Sequence, residues 1–217
     1  MFTKDEIKQL LKNDILSLTL KPGTMLSETT LSERFQLSRT PLRDVLKQLA
    51  LGSYIDIYPK KGNIVSYIDL ESVEQIIYLR SVLEKEIMKE LSSQIALSDV
   101  QKLSEILDRQ RAVIEEDHAT DQFLSLDDQF HQTMFQLVGR GFLWQLIQQS
   151  NVHYIRYRKL HMLETGKLMG IWHEHQAMLE YMLNKETTKM DDLVHHHLRE
   201  DIHSLDFLRK FADYIKK

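Results

Sequence analysis

The 217-residue chain has no cysteine, few glycines and prolines, and no long apolar run. Without cysteine it can form neither disulfides nor a thiolate metal site. Only seven glycines and three prolines favour long helices over a β structure with many turns. No apolar stretch approaches the roughly 18 residues that cross a bilayer, and the charged first twenty residues lack a signal-peptide pattern. We therefore expect a cytoplasmic protein without a membrane segment.

Charge is unevenly distributed along the chain, whose net charge is −4. Residues 1–68 hold ten Lys and Arg against seven Asp and Glu, whereas residues 69–217 hold eighteen against twenty-five. The positive charge is therefore concentrated near the N-terminus. An excess of this size does not by itself predict a nucleic-acid partner. Whether residues 1–68 bind nucleic acid is better judged from where the basic residues lie.

Residues 1–68 are predicted to form three short helices and a β-hairpin. Apolar residues recur at helical spacing over 4–18, Ser27 can cap a helix over about 28–35, and Ser38 can cap a third helix to about residue 51. Pro41 is acceptable in the first turn of the third helix, where N–H groups lack helical partners. Strands are predicted on both sides of the turn PKKG. This is the plan of a winged helix-turn-helix, whose third helix enters the DNA major groove.

The third predicted helix begins with a basic turn, SRTPLR. Its two arginines share the face that would meet DNA, while the threonine and the free N–H groups of the turn can reach phosphates. Two lysines and a glycine occupy the hairpin tip. The residues predicted to contact DNA are Ser38, Arg39, Thr40, Arg43, Lys60, Lys61 and Gly62. The alternative is that the arginines simply solvate an ordinary helix, which the combination of cap, proline and basic hairpin disfavours.

These N-terminal segments resemble a known family. LKPGTMLSETTLSERFQLSRTPLRDVLKQL and PKKGNIV are similar to the DNA-binding domain of GntR-family transcription regulators over residues 7–68. The Pro-Gly pair, the Ser-Arg-Thr-Pro-x-Arg core and the wing glycine carry the resemblance. Thr29 stands where many members have an arginine that touches DNA, and LGSY replaces the usual Glu-Gly-Leu. The resemblance implies a DNA operator as the partner.

From about residue 69 the chain is predicted to be helical throughout. Six periodic segments are predicted at about 70–94, 98–117, 120–138, 142–160, 168–184 and 187–214. We therefore expect a mainly α protein with two domains: a winged helix-turn-helix over 1–68 and an all-helical bundle over 69–217.

Four polar side chains fall on or near apolar faces of the predicted bundle helices: Asp127, His131, His175 and His197. Burying an unpaired carboxylate costs on the order of several kcal/mol, so Asp127 needs a positively charged or hydrogen-bonding partner. A divalent cation suits all four, because one helix offers ligands at i and i+4 and two others offer one His each. This donor set fits Zn²⁺, Ni²⁺ or Mn²⁺ without choosing among them. Each histidine taken alone is more simply explained as a hydrogen-bonded core residue.

A second resemblance covers residues 70–212. DDQFHQ, WHEHQAML and HHHLRED look like the three metal-ligand segments of the FCD effector domain of FadR-type GntR regulators. The resemblance implies that Asp127, His131, His175 and His197 are the metal ligands, and it favours a carboxylate metabolite as effector. Arg140 replaces the asparagine that the family usually has at this position.

Arg80 and Glu84 also lie on an apolar stripe. They either pair with each other at i and i+4, or Arg80 binds an acidic effector, since a guanidinium fits a carboxylate bidentately. Arg80 matches an arginine common in the first effector helix of FCD domains.

Taken together, these features predict a homodimeric transcription regulator that binds a pseudo-palindromic operator, a divalent metal and a small organic acid. The alternative is a metal-dependent hydrolase with an accessory DNA-binding domain, because an open metal position can activate water. A metal with a purely structural role is a third interpretation.

Overall fold

The computed structural model describes residues 2–60, 62–116, 119–149, 151–164, 166–199, 202 and 204–216. The chain divides into two compact units. The N-terminal unit comprises Met1–Val73, Ser150–Tyr157 and Ser204–Lys217, and the bundle unit comprises Glu74–Gln149 and Arg158–His203. The domain boundary after residue 68 stays a prediction, since this grouping does not establish which segments fold independently.

The N-terminal unit begins with three helices and a small antiparallel sheet. The helices are α1 (Lys4–Leu16), α2 (Glu28–Phe35) and α3 (Arg39–Leu51), and the strands are β1 (Met25–Leu26), β2 (Ile55–Tyr58) and β3 (Gly62–Val65). β3 lies between β1 and β2 and pairs antiparallel with both. The hairpin of β2 and β3 is the predicted wing, whereas β1 was not predicted because two residues carry no alternation pattern.

The helices pack through the apolar stripes that their sequences predict. Ile7, Leu11 and Ile15 of α1 are completely buried. On α3 the buried face consists of four apolar residues: Leu42, Val45, Leu46 and Leu49. Truncating a buried leucine of this kind to alanine typically costs about 2–5 kcal/mol. This core fixes α3 so that its opposite face is left exposed.

Eight helices follow, of which α4 and α8 contain residues of both units. They are α4 (Leu70–Gln94), α5 (Leu97–Val113), α6 (Ala119–Leu137), α7 (Gly141–Gln149), α8 (Val152–Met162), α9 (Lys167–Asn184), α10 (Thr187–Arg199) and α11 (Leu205–Lys210). Among the described residues, no helix combines the length and the apolar content that crossing a membrane requires.

Two of the six predicted segments are broken in the structure. The segment 142–160 is divided into α7 and α8, and 187–214 into α10 and α11. Ser204 begins α11 by accepting a hydrogen bond from the backbone N–H of Phe207. Serine competes for backbone groups in this way and favours helix starts. Leu205, the first residue of α11, is 68% exposed, so the helix begins with its side chain directed to solvent.

Candidate metal centre and nucleic-acid interface

The basic first turn of α3 lies at the surface of the N-terminal unit. Arg39 is the first residue of the helix, and Ser38, Arg39 and Thr40 are all exposed. Ser38 has the extended backbone of an N-cap, but the structure shows no capping hydrogen bond from its side chain. The predicted cap is thus confirmed in position and wrong in its hydrogen bond. An exposed helix start with an unused hydroxyl and free N–H groups is suited to phosphate contacts.

Arg43 is held by an acidic residue that the sequence analysis missed. Its Nε donates to both carboxylate oxygens of Glu28, at 2.9 and 3.0 Å. Arg43 is exposed, so this pair contributes little to stability. Glu28 at the start of α2 therefore competes with any phosphate or base that Arg43 would contact.

The tip of the wing is built by residues with positive φ. Lys60 has φ 67° and Gly62 has φ 105°. A Cβ at Gly62 would meet nothing within 4 Å, so the glycine is required by the backbone conformation and not by crowding. Lys60 is exposed. Lys61, also predicted to contact DNA, lies outside the described residues.

The four predicted metal ligands come together in the bundle unit. Asp127 and His131 lie on α6, His175 on α9 and His197 on α10, and their ligand atoms all lie within 4.8 Å of one another. The first three are buried, and the side chain of His197 is only 5% exposed. The side chain of neighbouring His195 is exposed and lies away from the cluster.

Two of the imidazoles are oriented by oxygen atoms of neighbouring side chains. Nδ1 of His175 donates to Oε1 of Gln110 at 2.9 Å, and Nδ1 of His197 donates to Oε2 of Glu174 at 2.6 Å. A neutral imidazole that donates through Nδ1 carries its lone pair on Nε2. Nε2 of His175 lies 3.5 Å from Oδ1 of Asp127 and has no hydrogen-bond partner within the described part of the chain.

The third imidazole, that of His131, lies next to a buried ion pair between two residues of α4. Nε of Arg80 donates to Oε1 of Glu84 at 2.5 Å, and Oε2 of Glu84 lies 3.1 Å from Nδ1 of His131. The i, i+4 pairing that the sequence left as an alternative is therefore present. Burial raises the pKa of Glu84, but Arg80 and His131 outweigh it and lower the pKa below its ordinary value. The carboxylate therefore stays ionised and favours a proton on Nδ1 of His131, although Oε2 and Nδ1 do not form a hydrogen bond among the described residues.

The three Nε2 atoms consequently present lone pairs to a common space. Nε2 of His131 lies 3.3 Å from Nε2 of His197 and 3.8 Å from Oδ2 of Asp127. Burial lowers the pKa of both His131 and His175, which disfavours a proton as the shared cation. Three imidazoles, each with an oxygen beside its Nδ1, and one carboxylate form a donor set that suits Zn²⁺, Ni²⁺ or Mn²⁺.

Asp127 has an internal charge partner that the sequence analysis did not identify. Nη2 of Arg158, on α8, donates to Oδ2 of Asp127, and Nη1 donates to Oδ1 of Asp128 at 2.6 Å. Burial raises the pKa of Asp127, but Arg158 and the three histidines lower it below its ordinary value. Asp127 is therefore ionised and available as a ligand.

Arg140, which stands in place of the expected asparagine, is satisfied at the surface. Its Nε and Nη2 donate to the two carboxylate oxygens of Glu90 at 2.8 and 3.2 Å. Both residues belong to the bundle unit. The positive charge of Arg140 is thus balanced by the carboxylate of Glu90 on α4. These hydrogen bonds hold the guanidinium at the surface, away from the ligand cluster.

Two family models match the sequence. Residues 75–200 match the FCD domain, and residues 3–65 match the gntR family of bacterial regulatory proteins. The chain belongs to the GntR family and carries an FCD domain. The predicted family, and the mainly α fold with an N-terminal winged helix, are confirmed.

Individual relatives of this GntR regulator agree with the assignment. It is 28% identical over 207 residues to the HTH-type transcriptional repressor RspR of Escherichia coli (strain K12), covering 94% of this chain and 90% of the relative. It is 29% identical over 133 residues to the gluconate operon transcriptional repressor of Bacillus subtilis (strain 168), covering 61% and 54%. The solved structure of E. coli McbR/YncC has the same fold, with TM-score 0.66, 18% identity and coverage of 97% and 100%.

These matches place the chain among transcriptional regulators with a DNA-binding helix-turn-helix and an FCD effector-binding domain. They point to a regulator and not to an enzyme, and they give no support to the hydrolase alternative.

Proposed function

We propose that this GntR regulator acts as a homodimer on a pseudo-palindromic operator, and that its FCD domain binds a divalent metal and a small carboxylate effector that changes DNA binding. The observation that carries the proposal is the convergence of three imidazole Nε2 atoms and one carboxylate within 4.8 Å. Asp127, His131, His175 and His197 would hold the metal. When bound, it would supply positive charge and open coordination positions to an anionic oxygen.

The DNA-binding part of the proposal rests on the exposed start of α3 and on the wing. Arg39, Arg43 and Lys60 are all exposed. The two arginines would contact bases and phosphates, and Lys60 would contact phosphate. Helix-turn-helix dimers read two half-sites about one helical turn apart, which makes their operators pseudo-palindromic. The repressors among the relatives support an operator as the partner.

Buried charge supports an anionic effector. Of the four proposed ligands only Asp127 offers a carboxylate, and the other three offer imidazoles. A divalent ion held by these four ligands would keep a net positive charge within its own ligand set, in a largely buried site. Unbalanced charge is costly away from water, so an anion is favoured as the additional ligand. A small organic acid meets this requirement.

Arg80 is the residue we propose to contact the effector. It is 1% exposed and already paired with Glu84, so an acid would have to share or replace that carboxylate. Its guanidinium carbon also lies 5.3 Å from the ring centre of Trp144, which limits the directions in which it can move. A planar guanidinium held in this way is suited to a bidentate carboxylate contact.

The metal site is tested by metal analysis of purified variants. His197→Ala should lower metal occupancy, because it removes one of four ligands, whereas His195→Ala and His196→Ala should retain it. His196 is the stricter control, since its Nε2 lies 3.4 Å from Glu174 and it therefore touches the same outer carboxylate. Equal losses in all three variants would contradict the ligand assignment.

A further inference from the structure

Arg158 of α8 is not one of the proposed metal ligands. It nevertheless changes the net charge of the metal site, because it pairs with the ligand Asp127. Its side chain is 7% exposed, and that of its partner Asp127 is 3% exposed. One guanidinium bonds two successive carboxylates of α6, Asp127 through Nη2 and Asp128 through Nη1. Only the second of these is partly solvated, with 35% of its side chain exposed. The contact with Asp127 is therefore the one whose charge is shielded least by water.

The two oxygens of Asp127 have different surroundings. Oδ2 accepts the hydrogen bond from Arg158, whereas Oδ1 faces Nε2 of His175 at 3.5 Å. A metal held with the histidines can thus take one oxygen while Arg158 keeps the other. A carboxylate that gives a single oxygen leaves more of the coordination sphere open than a bidentate one.

Electrostatics makes the arginine and the metal competitors. Without a metal, the guanidinium of Arg158 supplies the positive charge next to the carboxylate of Asp127. With a metal, two cations share one buried carboxylate and repel each other. The same arginine therefore stabilises the metal-free bundle and weakens metal binding.

We propose, on the basis of the proposed metal site, that Arg158 is an internal counter-cation of Asp127 that sets the metal affinity of the domain. It keeps the metal-free protein folded with an ionised ligand. It also keeps binding reversible, because the metal has to share a carboxylate that is already neutralised. Arg158 is thus a positioning residue for Asp127 and does not itself coordinate the metal.

The test compares wild type with Arg158→Met and Arg158→Lys in titrations with Zn²⁺ alone and with Mn²⁺ alone. Lys159→Met is the matched control, because Lys159 is the next residue of α8 and pairs with Asp121, which is 66% exposed. Arg158→Met should bind metal about tenfold more tightly, the size expected for coupling between contacting charges. Its metal-free form should melt well below wild type, with a smaller deficit when metal is bound. Lys159→Met should match wild type in both measurements.

The results distinguish a counter-cation that lowers metal affinity from a residue that only stabilises the fold. Weaker or unchanged metal binding by Arg158→Met, or equal losses of melting temperature with and without metal, would overturn the competition. If Arg158→Met does not fold without metal, Arg158→Lys decides: it keeps the charge, so metal-free melting and affinity should both lie near wild type. Weaker binding by this lysine variant would show that the hydrogen bonds, and not the charge, matter. Failure of wild type itself to bind either metal would instead remove the metal site on which the proposal rests.

Discussion

The carboxamide oxygen of Gln110 accepts a hydrogen bond from Nδ1 of His175 at 2.9 Å, and this contact determines which ring nitrogen faces Asp127. Gln110 is completely buried on α5, and its own Nε2 has no hydrogen-bond partner among the residues that the structure describes. A buried amide with one unsatisfied donor lowers stability. The orientation of the histidine is a reason for such a residue to be kept in the core.

Replacing Gln110 by leucine should weaken metal binding by about 10–100-fold, the usual effect of removing a partner behind a metal-bound histidine. Melting of the metal-free protein should change little, because the substitution removes the unsatisfied amide but also takes the acceptor from the buried Nδ1–H of His175. Metal titration followed by calorimetry measures the first effect, and thermal melts with chelator measure the second. Gln101→Leu, at an exposed position of the same helix, is the control. Unchanged affinity in Gln110→Leu would show that the hydrogen bond is incidental.

The sequence contained a signal for Gln110 that periodicity alone can detect. Buried residues of α5 recur at helical spacing, and Leu103, Ile106 and Leu107 are followed by Gln110 on the same stripe. A polar residue at a core position of an amphipathic helix requires an internal partner. The same argument correctly predicted the burial of Asp127 and His175.

Arg158 could not be found in this way, because α8 has no polar face to serve as a reference. Buried side chains occur on every side of it, including those of Tyr154, Arg156, Tyr157 and Leu160. A helix surrounded by protein gives no amphipathic phase, so the direction of each side chain follows only from tertiary packing. The Arg43–Glu28 pair was missed for a related reason, since contacts between helices depend on crossing geometry and not on spacing along one helix.

Arg39→Ala should weaken operator binding by about 1–3 kcal/mol and relax specificity if Arg39 contacts a base edge. Lys60→Ala should weaken binding to all sequences alike and lower the salt dependence by about one counterion, because it removes a phosphate contact. Fluorescence anisotropy with operator and scrambled DNA at several salt concentrations separates the two effects. Wild-type affinity in both Arg39→Ala and Arg43→Ala would contradict the assignment of α3 as the recognition helix.

Glu28→Gln should tighten DNA binding by up to about fivefold, the modest effect expected from removing a solvent-screened ion pair. The substitution releases Arg43 and removes a negative charge beside it. Glu33→Gln makes the same change of net charge on the same helix at another exposed position, so it controls for the general electrostatic effect. Weaker binding by Glu28→Gln would mean that Glu28 holds Arg43 in its binding orientation.

His153 should make the stability of the N-terminal unit sensitive to mildly acidic pH. Nδ1 of His153 accepts hydrogen bonds from the backbone N–H of Asp69 and from Arg156, and burial, followed by Arg156, lowers its pKa from 6.5 to about 4. Above about pH 6.5 the imidazole is neutral in both folded and unfolded chains. Between these values only the unfolded chain gains the proton, so the free energy of unfolding falls as pH falls.

His153→Asn should reduce this acid sensitivity, because the asparagine oxygen can replace the acceptor and does not titrate. Urea unfolding at intervals between pH 7 and about pH 4 measures the slope. His173→Asn removes an exposed histidine and should leave the slope as in wild type. A slope in His153→Asn equal to that of wild type would contradict the assigned role.

Removing the metal should abolish the response to the effector more than it affects DNA binding itself. The predicted DNA contacts belong to the N-terminal unit, and the four proposed ligands belong to the bundle unit. A metal at a hundredfold excess over its dissociation constant stabilises the folded state by about 2.7 kcal/mol, so chelation should lower the melting temperature. Chelation alone should change the operator affinity only slightly. It should, however, largely remove the change in operator affinity that an added acid causes in the metal-loaded protein.

The experiment screens a panel of small carboxylic acids against metal-loaded and metal-free protein, and reads out both thermal shift and operator affinity. An acid that coordinates the metal and Arg80 should act only on the loaded form, since the surplus positive charge exists only there. By linkage, the same acid should tighten metal binding by the factor by which the metal tightens acid binding. A metal of purely structural role would stabilise the protein without creating any acid response. An acid that alters DNA binding equally well without metal would place the effector site away from Asp127, His131, His175 and His197.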